Sequence, residues 1–119
     1  MPVVMFADNL KSPVWIATCT VTNGIQRFDT PVKIRVHCRE LSSYADILSY
    51  GPDYIHHRRL LGPNSLLGSV NDFDRVWIDA APSDPTDILA TDATHFVQRV
   101  VVGAGGVTEV IVRKRHQDG

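Results

Sequence analysis

The clearest signal along the chain is a two-residue alternation that opens at Pro31. Val32, Ile34, Val36 and Cys38 alternate with Lys33, Arg35, His37 and Arg39. Successive side chains of a strand point to opposite faces, so one face of this segment is expected in a core and the other in water. Val14 to Thr22 is rich in β-branched and aromatic residues and runs into Asn23-Gly24, the strongest short turn signal of the chain. Tyr54 to Leu61 reads as a further strand, ended by Gly62-Pro63-Asn64-Ser65. Phe73 to Asp79 reads as another, with Val76 and Ile78 on one face. His95 to Val102 and Val107 to Lys114 flank Gly103-Ala104-Gly105-Gly106, the arrangement of a hairpin.

Between these strands the alternation stops. The segment from Ser42 to Gly51 begins with cap-type serines and ends in Gly51-Pro52, so it reads as a short helix closed by that pair. It reads equally well as an excursion loop, because its serines, tyrosines and glycine are weak helix formers. As a helix, it would be anchored over one barrel end by Ile47 and Leu48. Leu66 to Val70 is a brief apolar patch that reads as a plug on the core. Ala80 to Thr94 is a long connection rich in Asp and Pro.

The sum is six strands, at most one short helix and no βαβ alternation. The expectation is a mostly β fold: a small six-stranded barrel or sandwich with long loops. A barrel is attractive because closure removes exposed strand edges. The chain reads as a single β domain over 1–119, with 1–12 as an N-terminal arm and 115–119 as a polar tail. Ile34, Val36, Val76, Ile78, Val110 and Val112 are expected to point inward, and Lys33, Arg35 and Arg113 outward.

Composition narrows the class. The chain has 119 residues with 44% hydrophobic and 21% charged, a globular balance. The formal net charge of −1 gives no strong attraction for nucleic acid or for an acidic membrane. The first residues lack the basic and long apolar regions of a signal peptide, and no apolar run reaches the ~20 residues that span a bilayer. The expectation is therefore a protein made and kept in the cytoplasm, or in something assembled there, with no membrane partner. Cys19 and Cys38 are the whole thiol inventory, each inside a strand pattern, and they read as small core residues.

Candidate chemistry is sparse. His37-Cys38 and His56-His57 are adjacent pairs, and neighbours on a regular strand face opposite ways, so neither pair offers two ligands to one metal. The aspartates from Asp72 to Asp92 lack the glycine and terminal glutamate of a calcium loop and read as turn formers. Gly103 to Gly106 lacks the lysine and following helix of a phosphate loop. No catalytic residue, metal ligand or cofactor site is assigned. Basic residues cluster at Arg35 and Arg39, at Arg58 and Arg59, and at Arg113 and Arg115, while Asp84 and Asp87 lie in the acidic connection. These eight are the interface candidates, because acidic edge against basic face is a route to head-to-tail contacts. An ordinary solvated face accounts for the same charges.

From about Pro31 onward the order of elements resembles the head–tail connector proteins of tailed bacteriophages, of the stopper or head-closure kind. The resemblance lies in the strand Val32 to Cys38, the Ser-rich excursion Ser42 to Tyr50, a Tyr54-x-His56 strand, Asp74-Arg75-Val76-Trp77-Ile78, and the closing hairpin from Phe96 to Lys114. Leu61 to Phe73 and Ala80 to Thr94 are longer than that pattern. The resemblance implies a virion neck component, a β-barrel protomer in a homo-oligomeric ring of six or twelve copies around a DNA channel. Its partners would be portal or adaptor protein and tail proteins, with transient non-specific DNA contact and no chemistry. Ser42, Ser43, Tyr44, Asp46, Ser49 and Tyr50 are then the channel or gating candidates. A small β-barrel protein-binding module is the alternative, and a tail terminator a more distant one. An enzyme using His56 or His57 would need a concave pocket with convergent polar groups.

Overall fold

The computed structural model describes residues 12–41 and 43–115. Six strands close into an antiparallel barrel in the order β1 (Ser12–Ala17), β4 (Val32–Glu40), β5 (His57–Pro63), β8 (Val107–Lys114), β7 (His95–Val102), β6 (Arg75–Ile78). The fold is the mostly β, six-stranded barrel that the alternation implied. The expected N-terminal arm before Ser12 and the polar tail beyond Arg115 lie outside the described residues, as does Ser42.

The register carries one inward face around the barrel. Val14 pairs with Ile34 on one side and Ile78 on the other. Leu60 pairs with Cys38 and Val110, and Val112 with Val97. Val14, Val36, Leu60, Val76, Val97, Val110 and Val112 are all fully buried, with Ile34 and Cys38 packed against them. Lys33 and Arg35 alternate outward and are exposed. One barrel end is plugged: after β5 the four-residue helix α2 (Asn64–Leu67) turns Leu67 and then Val70 into the core. The apolar patch read as a plug is therefore one, built partly on a helical turn. Gly62 has to be small here, because a Cβ would stand 3.0 Å from both Leu67 Cδ1 and Val36 Cγ1.

The structure departs from the sequence reading in several places. Val14 to Thr22 is two strands, broken at Thr18. There the chain leaves the barrel, because Cys19 N donates to Asp74 Oδ1 at 2.9 Å and Asp29 N donates to Thr18 O at 2.9 Å. Beyond the break, β2 (Cys19–Thr22) pairs only with β3 (Ile25–Phe28), a strand the sequence did not announce. Asn23 and Gly24 both have positive φ, 54° and 78°, as the tight turn between them requires. This two-stranded ribbon is exposed along almost its whole length. The strand placed at Phe73 to Asp79 is only Arg75–Ile78, because Phe73 and Asp79 turn the chain at φ 72° and 57°. Tyr54 to His56 belongs to a 3-10 turn (Gly51–His56), so β5 begins at His57.

A second small core lies outside the barrel. Phe28, Trp77, Ala17, Ala90 and Ala93 pack where the connection 80–94 covers the outer wall of β1 and β6. The aspartates of that connection do the turn chemistry expected of them. Thr86 donates its amide and hydroxyl to Asp84, and Leu89 and Thr91 donate to Asp87. Asp92 takes the Trp77 indole N–H at 3.1 Å and the Ser83 amide at 2.7 Å.

Candidate functional site

The excursion between β4 and β5 settles as a helix. α1 (Tyr44–Tyr50) starts on Ser43, whose hydroxyl accepts from Asp46 N at 3.1 Å while Ser43 N donates to the Asp46 carboxylate, a reciprocal capping box. Gly51, at φ 61°, stops it, and Pro52 starts the 3-10 turn that delivers the chain to β5.

α1 is fixed to the outside of the barrel wall by its polar side. Asp46 is the one buried residue of the helix, and it accepts from Arg59 Nη2 at 2.8 Å. Arg59 also pairs with Glu109 at 2.9 Å across β8. Burial pushes the Asp46 carboxyl up, but the bonds from Arg59 and Ser43 outweigh it and hold it below the usual range. One turn on, Tyr50 lies 4.6 Å ring to ring from His57. His57 is buried; its Nδ1 donates to Asp53 O at 2.9 Å and its Nε2 lies 2.7 Å from Gln98 Oε1. Gln98 stands where the β7–β8 register shifts between Val97 and Arg99. Arg113 donates to Asp53 at 2.6 Å.

The outward side of α1 is apolar. Tyr44 is 77% exposed and Leu48 67%, with Ile47 and the neighbouring Ile55 also exposed. Tyr44 and Leu48 are four residues apart and so share a face. The sequence reading had Ile47 and Leu48 holding a helix down; the polar anchors do this instead, and the apolar residues are left over. The single charge of the segment, Asp46, is turned inward.

The interface candidates fall into five groups. Arg35 and Arg39 are exposed on the outer face of β4. Arg59 and Arg113 are taken up by the ion pairs that hold the excursion. Arg115 donates to the carbonyls of Ala90, Thr91 and Ala93 and pins the connection 80–94, so its bonds are internal. Asp84 and Asp87 are in that connection, on the far wall from α1. Arg58 turns into the open barrel mouth near Glu40, at 3.6 Å.

That mouth is a pocket of about 350 Å³ lined by Arg58, His95, Lys114, Asp79, His56 and Ile55 among others. Arg58 and Lys114 continue the inward series of Leu60 and of Val110 and Val112, a polar end to an apolar period that the sequence did show. Burial, with Arg58 and Lys114 nearby, pushes His95 down to about 4. Its Nδ1 lies 2.7 Å from Thr94 Oγ1, but that hydroxyl also accepts from Ile78 N and donates to Val76 O. Thr94 is thus spent on joining β6 to β7 and makes a poor nucleophile. Among the described residues no three His, Cys, Asp or Glu side chains gather to hold a metal. Cys19 and Cys38 are both free, and burial raises each thiol. No helix among them is long and apolar enough to cross a membrane.

No family model and no curated protein matches the chain. Among solved structures, a protein of Shigella flexneri 2a known from a solution structure superimposes with a TM-score of 0.61. The match covers 96% of this chain and 100% of that one, with 14% of residues identical. At that identity the likeness carries the fold and nothing further.

Proposed function

We propose that the chain is a structural connector of the phage head-closure kind, a barrel protomer that assembles into a ring between portal or adaptor protein and tail. The observation that carries this reading is the excursion on the outer wall. A helix held by buried polar bonds, with its apolar side chains turned to water, is a surface made to be covered by protein. In the barrel mouth, His95 is held neutral by burial and Thr94 is taken up in joining β6 to β7. The fixed anchoring of Asp46 and Tyr50 favours docking over a moving gate for this segment.

The test replaces Ser43 to Ser49 by a short Gly-Ser linker. The purified variant should keep the barrel, judged by amide shifts of β4, β7 and β8, while particles carrying it leak DNA or fail to join tails. A variant that unfolds outright would make the segment core structure, and normal particles would remove its connector role. A second reading, a small protein-binding module, draws on the 350 Å³ mouth pocket. It calls for a stable monomer that takes up a ligand there, with shifts at His95 and Lys114.

A further inference from the structure

Among the described residues, two of the uncovered apolar surfaces carry charge on their rims. The first is the β2–β3 ribbon with the loop tip beside it. Val21 is 61% and Ile25 54% exposed, and Ile88 and Leu89 are exposed as well. The Phe28 amide donates to the Ile88 carbonyl at 2.8 Å, which ties ribbon and loop together. Asp84 and Asp87 stand in the same loop. Hydrogen bonds from Thr91 and Leu89 hold the Asp87 carboxyl below the usual range, so it is charged at neutral pH. A two-stranded ribbon wet on both faces has little stability of its own.

The second surface is the outward side of α1, with Tyr44, Leu48 and Ile55. Its surroundings are basic. The register places Arg39, Arg59, Ile111 and Arg99 in one row across the wall of β4, β5, β8 and β7. Arg59 is neutralised by Asp46 and Glu109. Arg39 and Arg99 are exposed and have no ion pair among the described residues.

The topology keeps these surfaces apart. The ribbon leaves the barrel where β1 stops and β4 starts, and α1 lies where β4 stops and β5 starts. The loop covers the β1 and β6 wall, and α1 the β5 and β8 wall across the barrel. One chain cannot bring them together.

We propose that the two surfaces dock on each other between copies, the ribbon and loop tip of one chain on the α1 face of the next. They match in both respects that matter: apolar at the centre, and opposite in net charge at the rim, Asp84 and Asp87 with Arg27 on one side against Arg39 and Arg99 on the other. The contact is heterologous, so each copy uses one surface on either side and the assembly runs on into a ring or filament. Each surface is small against the ~20–30 residues a side of a standard interface, so the contact is weak unless a docking partner holds the copies side by side. The proposal rests on the connector reading and adds to it the surfaces that build the ring.

The experiment uses two exposed substitutions, Leu48→Glu on the α1 face and Leu89→Glu on the loop tip, with sedimentation and amide shifts recorded up to about 1 mM protein. Wild type should associate with concentration, and shifts should move on both surfaces. Each variant alone should stay monomeric. Their equal mixture retains one intact surface of each kind, so it should form a dimer and nothing larger. A single variant that associates as well as wild type would overturn the proposal, since that is the behaviour of a two-fold contact or of another surface. So would a wild type that stays monomeric with unmoved shifts, or a mixture that stays monomeric. None of these failures touches the connector reading, whose test is DNA retention by particles carrying the linker variant.

Discussion

Asp46→Ala should loosen α1 without unfolding the barrel. In the folded protein Asp46 is 7% exposed and bonds Arg59 at 2.8 Å, while the rest of the helix contributes no other buried residue. A hydrogen bond to a charged group contributes about 1.5–3 kcal/mol, and breaking a buried pair about 3–5. Here the lower range applies, because Arg59 keeps Glu109 as a partner at 2.9 Å and its own side chain is 26% exposed. The variant also loses half of the capping box. The expected cost is about 2 kcal/mol, which corresponds to about thirtyfold in the local opening constant. A seven-residue helix has no standing of its own in water, so opening at this site means loss of the helix. Native-state hydrogen exchange at neutral pH reads this directly: amides from Ile47 to Gly51 should exchange about thirtyfold faster, with those of Val110 and Val112 unchanged. Unchanged exchange in α1 would show that its apolar side holds it after all. Equal acceleration everywhere would show that α1 and the barrel open as one unit. The same anchor has a pH signature. A carboxyl held below its usual value stabilises above that value and stops doing so as pH falls through the depressed one, so α1 protection should hold down to the usual carboxylate range and decline below it.

Gly62→Ala should destabilise by about 1–3 kcal/mol in urea unfolding, since its methyl would press on Leu67 and Val36, whereas Gly105→Ala, with open space around it, should be nearly neutral. For His95, whose folded value of about 4 lies below the usual 6.5, the contribution is complete above 6.5 and is lost as pH falls toward 4. Stability of wild type minus that of His95→Gln should therefore decrease over this window and level off below it; a flat difference would refute the assignment. Cys19 and Cys38 should both titrate as thiols in the unfolded protein without prior reduction, and a reading of fewer than two would disprove the free state.

The parts of the fold that could be read from the sequence are those with a local cause. The alternation names the inward face at Ile34, Val36 and Cys38, although Val32, in the same phase at the start of the strand, is 60% exposed, and the hairpin around Gly103 to Gly106 announces itself by composition. The ribbon did not, because Ile25 to Phe28 is only four residues long and its purpose lies outside the barrel. The break at Thr18 depends on Asp74, 55 positions away from Cys19, which no local pattern encodes. α1 misled for a related reason. Amphipathic reasoning assumes that Ile47 and Leu48 face the protein, and that assumption fails where the anchor is an ion pair to a distant strand. The mouth was visible in principle: Arg58 and Lys114 are in phase with buried neighbours, but only the closed register shows that both phases end at the same rim.

The fully buried carboxylate of Asp74 holds two other parts of the molecule at once. One oxygen takes the amide of Cys19 at the root of the ribbon, at 2.9 Å, and the other takes the amide of Asn71, next to the Val70 that fills the barrel floor, at 3.0 Å. The ribbon has other ties, the backbone into β1 and β4 and the Phe28 amide on Ile88, but Asp74 is the one that it shares with the floor. Loss of this carboxylate would therefore strand two amides on opposite sides of one side chain, and the ribbon root and the floor would be perturbed together.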